Sequence, residues 1–285
     1  MNWSSASNRQ EVESRLRRIG GQEDDEIDIA EAALLLAALE RPQLSLERYH
    51  HHLSLVSRDV ADLGEKQGAG DSLAARIEVL NAVLVERYGY RGDSDSYEDM
   101  VNANLMKVID RRRGLPVALG ILYLHGARAQ GWQISGLNFP GHFLLRLDLG
   151  GQRAIIDPFN GGKLCDAMAL RGLLKAMAGD KAELRPEHTA PVGCRDVLLR
   201  LQNNIKMRHI KEERSGDALA VLETMLMIAP ERAGLWREAG ILHSHLDNMR
   251  AAIMAFEHFL ELAEADEPGR PDIAELMRQL RRQLN

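Results

Sequence analysis

Residues 140–162 read PGHFLLRLDLGGQRAIIDPFNGG and predict a β-hairpin that carries one histidine and one aspartate. Two runs rich in apolar residues flank a Gly-Gly pair at 150–151, and such a pair favours a tight two-residue turn. Pairing the two arms across this turn places Leu144 opposite Asp157. His142 lies on the same face as Leu144, because side chains two residues apart share a face of a strand. We therefore expect His142 and Asp157 to lie within reach of each other.

A long apolar helix is predicted just before the hairpin, in the stretch RRRGLPVALGILYLHGARAQGW at 111–132. Pro116 suits the first helical turn, and Gly131 suits the left-handed position that often follows a helix. These two residues predict a helix over about 116–130. Its residues are apolar on nearly every face, so we expect the helix at the centre of its domain. A further strand, WQISGL, follows it.

Helical patterns occupy the two ends of the chain. Towards the C-terminus a period of 34 residues emerges, because Ala218 and Ala252 are 34 apart, as are Leu222 and Phe256. Small and large residues at this period are typical of a tetratricopeptide repeat (TPR), in which two antiparallel helices approach closely. An ordinary helical bundle that happens to have this spacing is the alternative.

The chain of 285 residues divides into three predicted parts. Residues 1–26 are polar and end in QEDDE, and we expect them to be a flexible N-terminal tail. One domain is predicted over 27–190, with a helical part at 27–90 and a core at 91–190. TPR-like helices are predicted over 195–285.

Composition excludes several classes of protein. The net charge is −6, whereas nucleic-acid binding normally needs a basic surface, so we expect no nucleic-acid partner. No apolar run has the length of a membrane span or the character of a signal peptide, so we expect no membrane association and a cytoplasmic location. Two cysteines, Cys165 and Cys194, do not make a disulfide framework. No metal-ligand spacing links them, and we expect neither a metal nor a cofactor.

The order of the predicted elements carries a resemblance. A buried helix, a strand that begins with His and a strand that ends in Asp-Pro are similar to the papain-like core of transglutaminases. The strings LNFPGHFLLRL and DPFNGG, together with the TPR-like tail, resemble more narrowly the bacterial SirB-type transglutaminase-like proteins, over about residues 28–270. The resemblance implies an α+β fold, with a helix-rich papain/transglutaminase-like core, a small antiparallel sheet and an α-helical TPR-like tail.

The resemblance also implies catalytic roles. His142 matches the general base, and Asp157 matches the residue that orients it. In active relatives the nucleophilic cysteine lies at the start of the central helix, where the helix dipole and the histidine favour the thiolate. Residues 114–118 of this chain read Gly-Leu-Pro-Val-Ala and contain neither a thiol nor a hydroxyl. We therefore expect His142 and Asp157 to be the remnant of a catalytic triad.

Another residue is a candidate to replace the missing nucleophile. Cys165 follows Asp157 by eight residues, and its loop can fold back towards His142. The alternative is that Cys165 is a small, half-buried thiol that serves packing. Cys194 has a weaker claim, and Ser135 is interpreted as a strand residue.

Polar clusters outside the hairpin allow binding or structural interpretations. Three consecutive histidines at 50–52 point about 100° apart on a helix, so they predict a solvated face rather than a metal site. The arginines at 111–113 are expected to pair with acidic side chains or cap loops, and an anion or acidic-partner site at Arg113 is the alternative. Asn102 matches a family asparagine that bonds near the His and Asp, although a loop or cap asparagine is equally consistent with the sequence.

Two classes of function follow. The first is a non-enzymatic module, in which the core recognises a peptide or side chain and the tail binds a protein or peptide partner near Trp236. Arg232 and Arg237 add anion contacts there if they face inward. The second is an amide or acyl hydrolase or transferase that uses His142 and Asp157 with a relocated nucleophile. The missing nucleophile at the helix start favours the first class.

Overall fold

The computed structural model describes the backbone of residues 5–284 and the side chains of residues 8–284. The chain divides into two compact units. The first unit holds residues 23–201 together with 5–9, and the second unit holds residues 202–284 together with 10–22. A five-stranded sheet lies in the first unit, and the second unit is helical.

Helix α1 (Ser5–Gly20) begins the described chain, and a short 3-10 turn follows at Asp24–Glu26. The α-helices of the first unit come next: α2 (Ile29–Ala38), α3 (Glu47–Lys66), α4 (Leu73–Asn81), α5 (Leu105–Arg111), α6 (Pro116–Arg128) and α7 (Ala167–Ala178). Helix α4 runs directly into a π-helical segment, Ala82–Arg87. Two further 3-10 turns lie at Met100–Ala103 and Pro186–Thr189.

Helix α6 is the centre of the first unit. It begins at Pro116 and ends at Arg128, and Gly131 just beyond it has a φ of 68°, so the predicted helix is confirmed to within two residues. Helices α2 and α3 pack against it. Gly120 allows its close contact with the hairpin, because a Cβ atom there would lie 2.4 Å from the ring of Phe143.

The strands are β1 (Arg91–Gly92), β2 (Arg113–Gly114), β3 (Gln133–Leu137), β4 (Leu145–Leu149), β5 (Gln152–Asp157), β6 (Lys163–Leu164) and β7 (Pro191–Val192). Strands β1 and β2 form a short parallel pair, and the other five form an antiparallel sheet in the order β6-β5-β4-β3-β7. The predicted turn is confirmed, with Leu149 paired to Gln152 and both turn glycines at positive φ.

The ladder between β4 and β5 ends at the pair Leu145 and Ile156. Strand β4 is therefore shorter than predicted and does not reach His142. Gly141, with a φ of 70°, bends the chain before that residue. The predicted register still holds at this open end. Extending the ladder by one residue on each arm, beyond the pair Leu145 and Ile156, places Leu144 opposite Asp157.

The prediction of a flexible tail is wrong for the described part of residues 1–26; residues 1–4 lie outside it. Helix α1 occupies Ser5–Gly20, and Val12, Leu16 and Ile19 form a buried stripe at helical spacing within a polar sequence. The acidic run that follows has a structural role in the first unit, because Asp24 accepts hydrogen bonds from the backbone N of Cys194 (2.6 Å) and Arg195 (2.9 Å).

Five helices follow β7: α8 (Cys194–Lys211), α9 (Ser215–Ile228), α10 (Ala233–His245), α11 (Met249–Leu262) and α12 (Arg270–Leu284). The boundary between the units falls after residue 201, inside α8, rather than at 190–195 as predicted. The reason is that the first two turns of α8 belong to the core of the first unit, where Val197 packs beside Gly136.

The repeat predicted in the second unit matches its packing. Ala218, Ala252 and Phe256 are fully buried. Helix α10 contacts α9 and α11, and a Cβ at Gly240 of α10 would lie 2.3 Å from the ring of Phe256 on α11. Small residues therefore sit where the paired helices approach most closely.

Candidate functional site

The open end of the hairpin joins His142 to Asp157. Nε2 of His142 donates a hydrogen bond to Oδ1 of Asp157 at 3.0 Å. The same oxygen accepts from the backbone N of Phe159 (2.9 Å) and of Asn160 (3.3 Å), while Oδ2 accepts from the Asn160 side chain at 2.7 Å. The carboxylate thus organises the DPFN turn and holds the imidazole with one network.

Burial and hydrogen bonding shift the pKa of Asp157 in opposite directions. Burial alone would raise its pKa, but the hydrogen bond and charge of His142, together with the donors of Asn160, hold the pKa of Asp157 below its usual value. Only 4% of Asp157 and 7% of His142 is exposed. Asp157 is therefore an ionised carboxylate that orients the histidine from inside the protein.

The His142 ring is enclosed by residues that the sequence did not indicate. The ring of Phe159 meets it edge to face at 6.1 Å, and Tyr97 contacts Phe159 at 5.7 Å. Nη2 of Arg200 on α8 donates to the carbonyl oxygens of Phe139 (2.9 Å) and His142 (2.5 Å). The backbone that carries His142 is thus held by Arg200, a residue near the C-terminal end of the first unit in sequence.

A second network holds the loop after Asp157. The hydroxyl of Tyr123 donates to Oδ1 of Asn81 at 2.9 Å, and Nδ2 of Asn81 donates to the carbonyl of Gly162 at 3.2 Å. Burial and the charge of Asp157 raise the pKa of Tyr123. Gly162 has a φ of 71°, and a Cβ there would collide with Asn81. The two glycines of FNGG indicated a loop here from the sequence alone. No sequence pattern indicated that Asn81 would contact this loop.

The start of α6 offers no attacking atom. A Cβ at Gly114 would lie 2.8 Å from Val108, so the backbone there is closely packed. The backbone N of Leu115 donates to the carbonyl of Asn102 at 2.9 Å. Leu115, Val117 and Ala118 are buried. The start of α6 is thus occupied by apolar side chains and closely packed backbone.

Cys165 lies in a different environment from an activated thiol. Its Sγ donates to the carbonyl of Lys163 at 3.7 Å, which is its sole side-chain hydrogen bond within residues 5–284. Burial, with the charge of Asp157, raises the pKa of Cys165 to about 11. The side chain packs against the apolar cluster that contains Leu144 and Leu174.

Cys194 begins α8 and is buried. Burial raises the pKa of its thiol, although Nη1 of Arg128 donates to Sγ at 2.6 Å and opposes that shift. Ser135 lies in β3, paired to Arg146.

Asn102 is fully buried, but its side chain serves a loop. Its Oδ1 accepts from Nη1 of Arg111 at 2.7 Å, and its Nδ2 donates to the carbonyl of Ser96 at 2.6 Å. No hydrogen bond joins the Asn102 side chain to the His–Asp pair in the described structure. The structure places Asn102 where its loop alternative predicted.

The arginines at 111–113 pair with nearby groups. Arg111 forms a 2.7 Å ion pair with the buried Asp93, and Arg113 forms one of 3.1 Å with Asp95. Arg112 has a φ of 59° and stacks over the ring of Tyr90.

The three histidines at 50–52 face three directions. His50 bonds to Glu31 at 2.6 Å, and His52 bonds to the hydroxyl of Tyr90 at 2.7 Å. Burial lowers the pKa of His52 to about 4, and the charge of Arg112 adds to this effect. His51 is exposed. The geometry predicted for a helix is thus observed.

A groove of about 590 Å³ lies within the second unit. Trp236 lines it, donates from Nε1 to the carbonyl of Pro230 at 2.7 Å, and stacks with His258 at 4.4 Å. The other lining residues are Arg17, Glu223, Leu226, Met227, Ala239, His243, Ala251, Met254 and Ala255.

Arg237 does not line this groove, so it does not meet the condition that its predicted anion contacts carried. It follows Trp236 by one residue, and consecutive helical residues point about 100° apart. Its guanidinium lies instead against Gly269, where a Cβ would be 2.9 Å from Nη2.

Comparisons with known proteins agree with this architecture. The family model of the transglutaminase-like superfamily matches residues 47–203, and a tetratricopeptide repeat model matches residues 205–284. The first match spans more than half of the chain. The chain therefore belongs to the transglutaminase-like superfamily, with a TPR region after it.

Three bacterial relatives match most of the chain. A UPF0162 protein of Vibrio cholerae is 30% identical over 238 residues, which cover 83% of this chain and 87% of the relative. A UPF0162 protein of Xylella fastidiosa is 28% identical over 246 residues, covering 84% and 85%. Protein SirB1 of Salmonella typhimurium is 29% identical over 198 residues, covering 68% and 73%. The SirB-type resemblance is thus confirmed, and no solved structure matches the chain.

Between residues 5 and 284, none of the helices combines the length and the apolar character that crossing a membrane requires.

Proposed function

We propose that this protein is a non-catalytic interaction protein, in which a transglutaminase-like unit has kept its His–Asp pair without a nucleophile. One observation carries the proposal: residues 114–118 at the start of α6 contain no thiol or hydroxyl, while His142 and Asp157 remain bonded and buried. Papain-type chemistry needs a thiolate, a base and an orienting residue within hydrogen-bond reach of one another. This chain supplies the last two.

The His–Asp pair acts as a structural latch in this proposal. Asp157 accepts hydrogen bonds from the imidazole of His142 and from the turn that follows Asp157, and Arg200 donates to the backbone carbonyl of His142. A buried polar network whose members are satisfied specifies one arrangement of the chain. The pair, together with Arg200, therefore joins β5, the segment that precedes β4 and helix α8 in the first unit.

The second unit supplies a docking groove. Trp236, Met227 and Met254 give it large, adaptable apolar side chains, and Met254 is 60% exposed. Methionine-rich surfaces adapt to different partners, and a groove between helices suits an amphipathic helix or an extended peptide. A protein or peptide partner is thus the ligand of this unit.

An amide or acyl hydrolase or transferase with a relocated nucleophile is the second candidate. Cys165 favours it, because the thiol lies close enough to Asp157 to be affected by its charge. That same carboxylate, however, raises the pKa of the thiol. A thiol whose pKa is about 11 is almost fully protonated at neutral pH. This argument favours the non-catalytic function.

The test compares the wild type with a Cys165→Ala, Cys194→Ala double variant and with His142→Ala. Ammonia release from glutamine peptides and hydrolysis of acyl reporters are measured for each. We expect no turnover by any of the three proteins. Turnover by the wild type that is lost in either variant would establish the enzyme instead.

A binding experiment tests the other half of the proposal. Partners captured by the wild type are identified and then assayed with Met254→Glu, which places a charge in the groove, and with Ile241→Glu, which places one on an exposed position outside it. We expect the first variant to lose the partner and the second to retain it. Equal retention by both would show that the groove is not the docking site.

A further inference from the structure

Helix α7 and the edge strand before it carry exposed apolar side chains on the first unit. Helix α7 buries Leu170 and Leu174 against the sheet. Three large apolar side chains remain exposed around it: Leu164 by 58%, Met168 by 76% and Met177 by 50%. Met168 lies on the same side of α7 as Arg171 and Lys175, whereas Met177, nine residues further on, lies about half a turn away around the helix.

The same surface is basic, although the whole chain carries a net charge of −6. Arg171 and Lys175 lie one turn apart on α7, and the helix itself carries no acidic side chain. Lys163 and Lys181 flank it. Within the described residues, none of these four side chains forms an ion pair or hydrogen bond.

Acidic side chains only partly balance this surface. Residues 163–185 contain five basic and three acidic residues. One of the acids, Asp166, caps α7 by accepting from the backbone N of Ala169 at 2.7 Å. Asp180 and Glu183 follow the helix rather than lying on it. The unpaired cations of α7 are therefore available to a partner's carboxylates.

A hollow of about 360 Å³ lies at the C-terminal end of α7. Its lining combines apolar and basic side chains: Pro140, Leu174, Ala178, Lys181, Arg185 and His188, with Glu183 as the acidic member. A concave site of this composition accepts an apolar side chain and places cations next to the acidic groups that flank it.

We propose that this basic face, defined by α7, Leu164 and the hollow, binds an acidic peptide segment of a partner protein. Glutamate or aspartate side chains pair with Arg171, Lys175 and Lys181, and an apolar side chain enters the hollow against Leu174. Because the hollow is concave, it fits an inserted side chain of a peptide better than it fits the flat surface of a membrane. The inference goes beyond the proposed function, because this surface belongs to the first unit and the proposed docking groove to the second.

The experiment uses the full chain and a fluorescein-labelled 15-residue peptide, in which leucines at helical spacing alternate with glutamates. Binding is measured by fluorescence anisotropy. The Arg171→Glu, Lys175→Glu variant is expected to bind about tenfold or more weakly, equivalent to at least about 1.4 kcal/mol. Lys181→Glu, outside the helix, is expected to weaken binding as well. Thermal melts confirm that each variant is folded.

A matched control separates this surface from general electrostatics. Arg58→Glu, Lys66→Glu makes the same change in net charge at exposed positions of α3, and we expect it to bind like the wild type. Ile241→Glu, at an exposed position of the second unit outside its groove, is also expected to bind normally. The same peptide with lysines in place of glutamates is expected not to bind.

Several results would overturn the proposal. These are no binding by the wild type, equal weakening by the α3 control, or loss of the peptide in Ile241→Glu. The wild type could instead bind phosphatidylserine vesicles in preference to the peptide and lose this binding in the Arg171→Glu, Lys175→Glu variant. That result would assign the face to a membrane. A change of oligomeric state in the same variant, measured by sedimentation, would assign it to a second copy of the chain.

Discussion

Nε2 of His142 lies 3.0 Å from Oδ1 of Asp157, and the two residues are only 7% and 4% exposed. In a catalytic triad this pair would serve a nucleophile at the start of the central helix. Here it joins two ends of a hairpin whose register brings them together, and the carboxylate also receives the donors of the next turn. In the proposed function these hydrogen bonds stabilise the fold, because a buried polar network whose members are satisfied specifies one arrangement of the chain.

The first prediction concerns pH. The pKa of Asp157 is lower in the folded protein than its usual value, which is about 3.9 in the unfolded chain. Its stabilising contribution is therefore fully present above the unfolded pKa and is lost as the pH falls through the folded pKa. We expect Asp157→Asn to lower the free energy of unfolding near pH 7 by about 1–3 kcal/mol, through the hydrogen bonds it disturbs.

Urea unfolding between pH 7 and pH 3 measures this effect. The difference between wild type and Asp157→Asn is expected to shrink as the pH falls below about 4. Asp95→Asn, at an exposed residue of the same unit, is the control and should change stability little. A difference for Asp157→Asn that stays constant over the whole range would contradict the assignment.

The second prediction concerns the contact between α6 and the hairpin. A Cβ at Gly120 would lie 2.4 Å from Phe143, so Gly120→Ala is expected to cost about 1–3 kcal/mol by overpacking. Combining it with Phe143→Leu should recover part of the loss, because the ring is the group in the way. Thermal and urea unfolding of the single and double variants measure this coupling.

Gly172 on α7 supplies the matched control. A Cβ there would meet nothing within 4 Å, so Gly172→Ala is expected to stabilise the protein by about 0.4–1 kcal/mol. If Gly120→Ala behaved in the same way, the close contact between α6 and Phe143 would be wrong.

Local patterns in the sequence predicted the parts of the site that are close in the chain. The Gly-Gly turn fixes the register of the hairpin, and with it the meeting of His142 and Asp157, fifteen residues apart. The apolar run after Pro116 predicted the central helix, because a helix that is apolar on every side must be buried.

Contacts between distant residues were not predictable in this way. Arg200 meets the carbonyl of His142 from 58 positions along the chain, and Asn81 meets Gly162 from 81 positions away. No periodicity specifies such pairs, since they depend on how the helices pack. Helix α1 was missed for another reason: three buried apolar residues in a polar stretch give too weak a pattern to distinguish from a tail.

The third prediction tests the role of the acidic run that was expected to be part of a tail. Asp24 caps α8 through the backbone N atoms of Cys194 and Arg195, from 170 positions earlier in the chain. Asp24→Ala is expected to cost about 0.5–2 kcal/mol, as loss of a helix cap does. Asp25→Ala, one residue on and exposed, is the control and should be neutral. Equal unfolding midpoints for the two variants in urea would contradict the cap.

The last prediction concerns the reactivity of Cys165, because it separates the two functions. Burial and the charge of Asp157 raise its pKa to about 11, so in a Cys194→Ala background the thiol should react slowly with iodoacetamide at neutral pH. Its rate should rise about tenfold per pH unit, because the thiolate is the reactive form. Asp157→Asn removes the nearby negative charge and is expected to speed the reaction at a fixed pH, whereas Asp180→Asn, at an exposed acid after α7, should not. A rate that already levels off below pH 8 in the wild-type environment would reveal an activated thiol, and the enzyme with a relocated nucleophile would then be the better function for this chain.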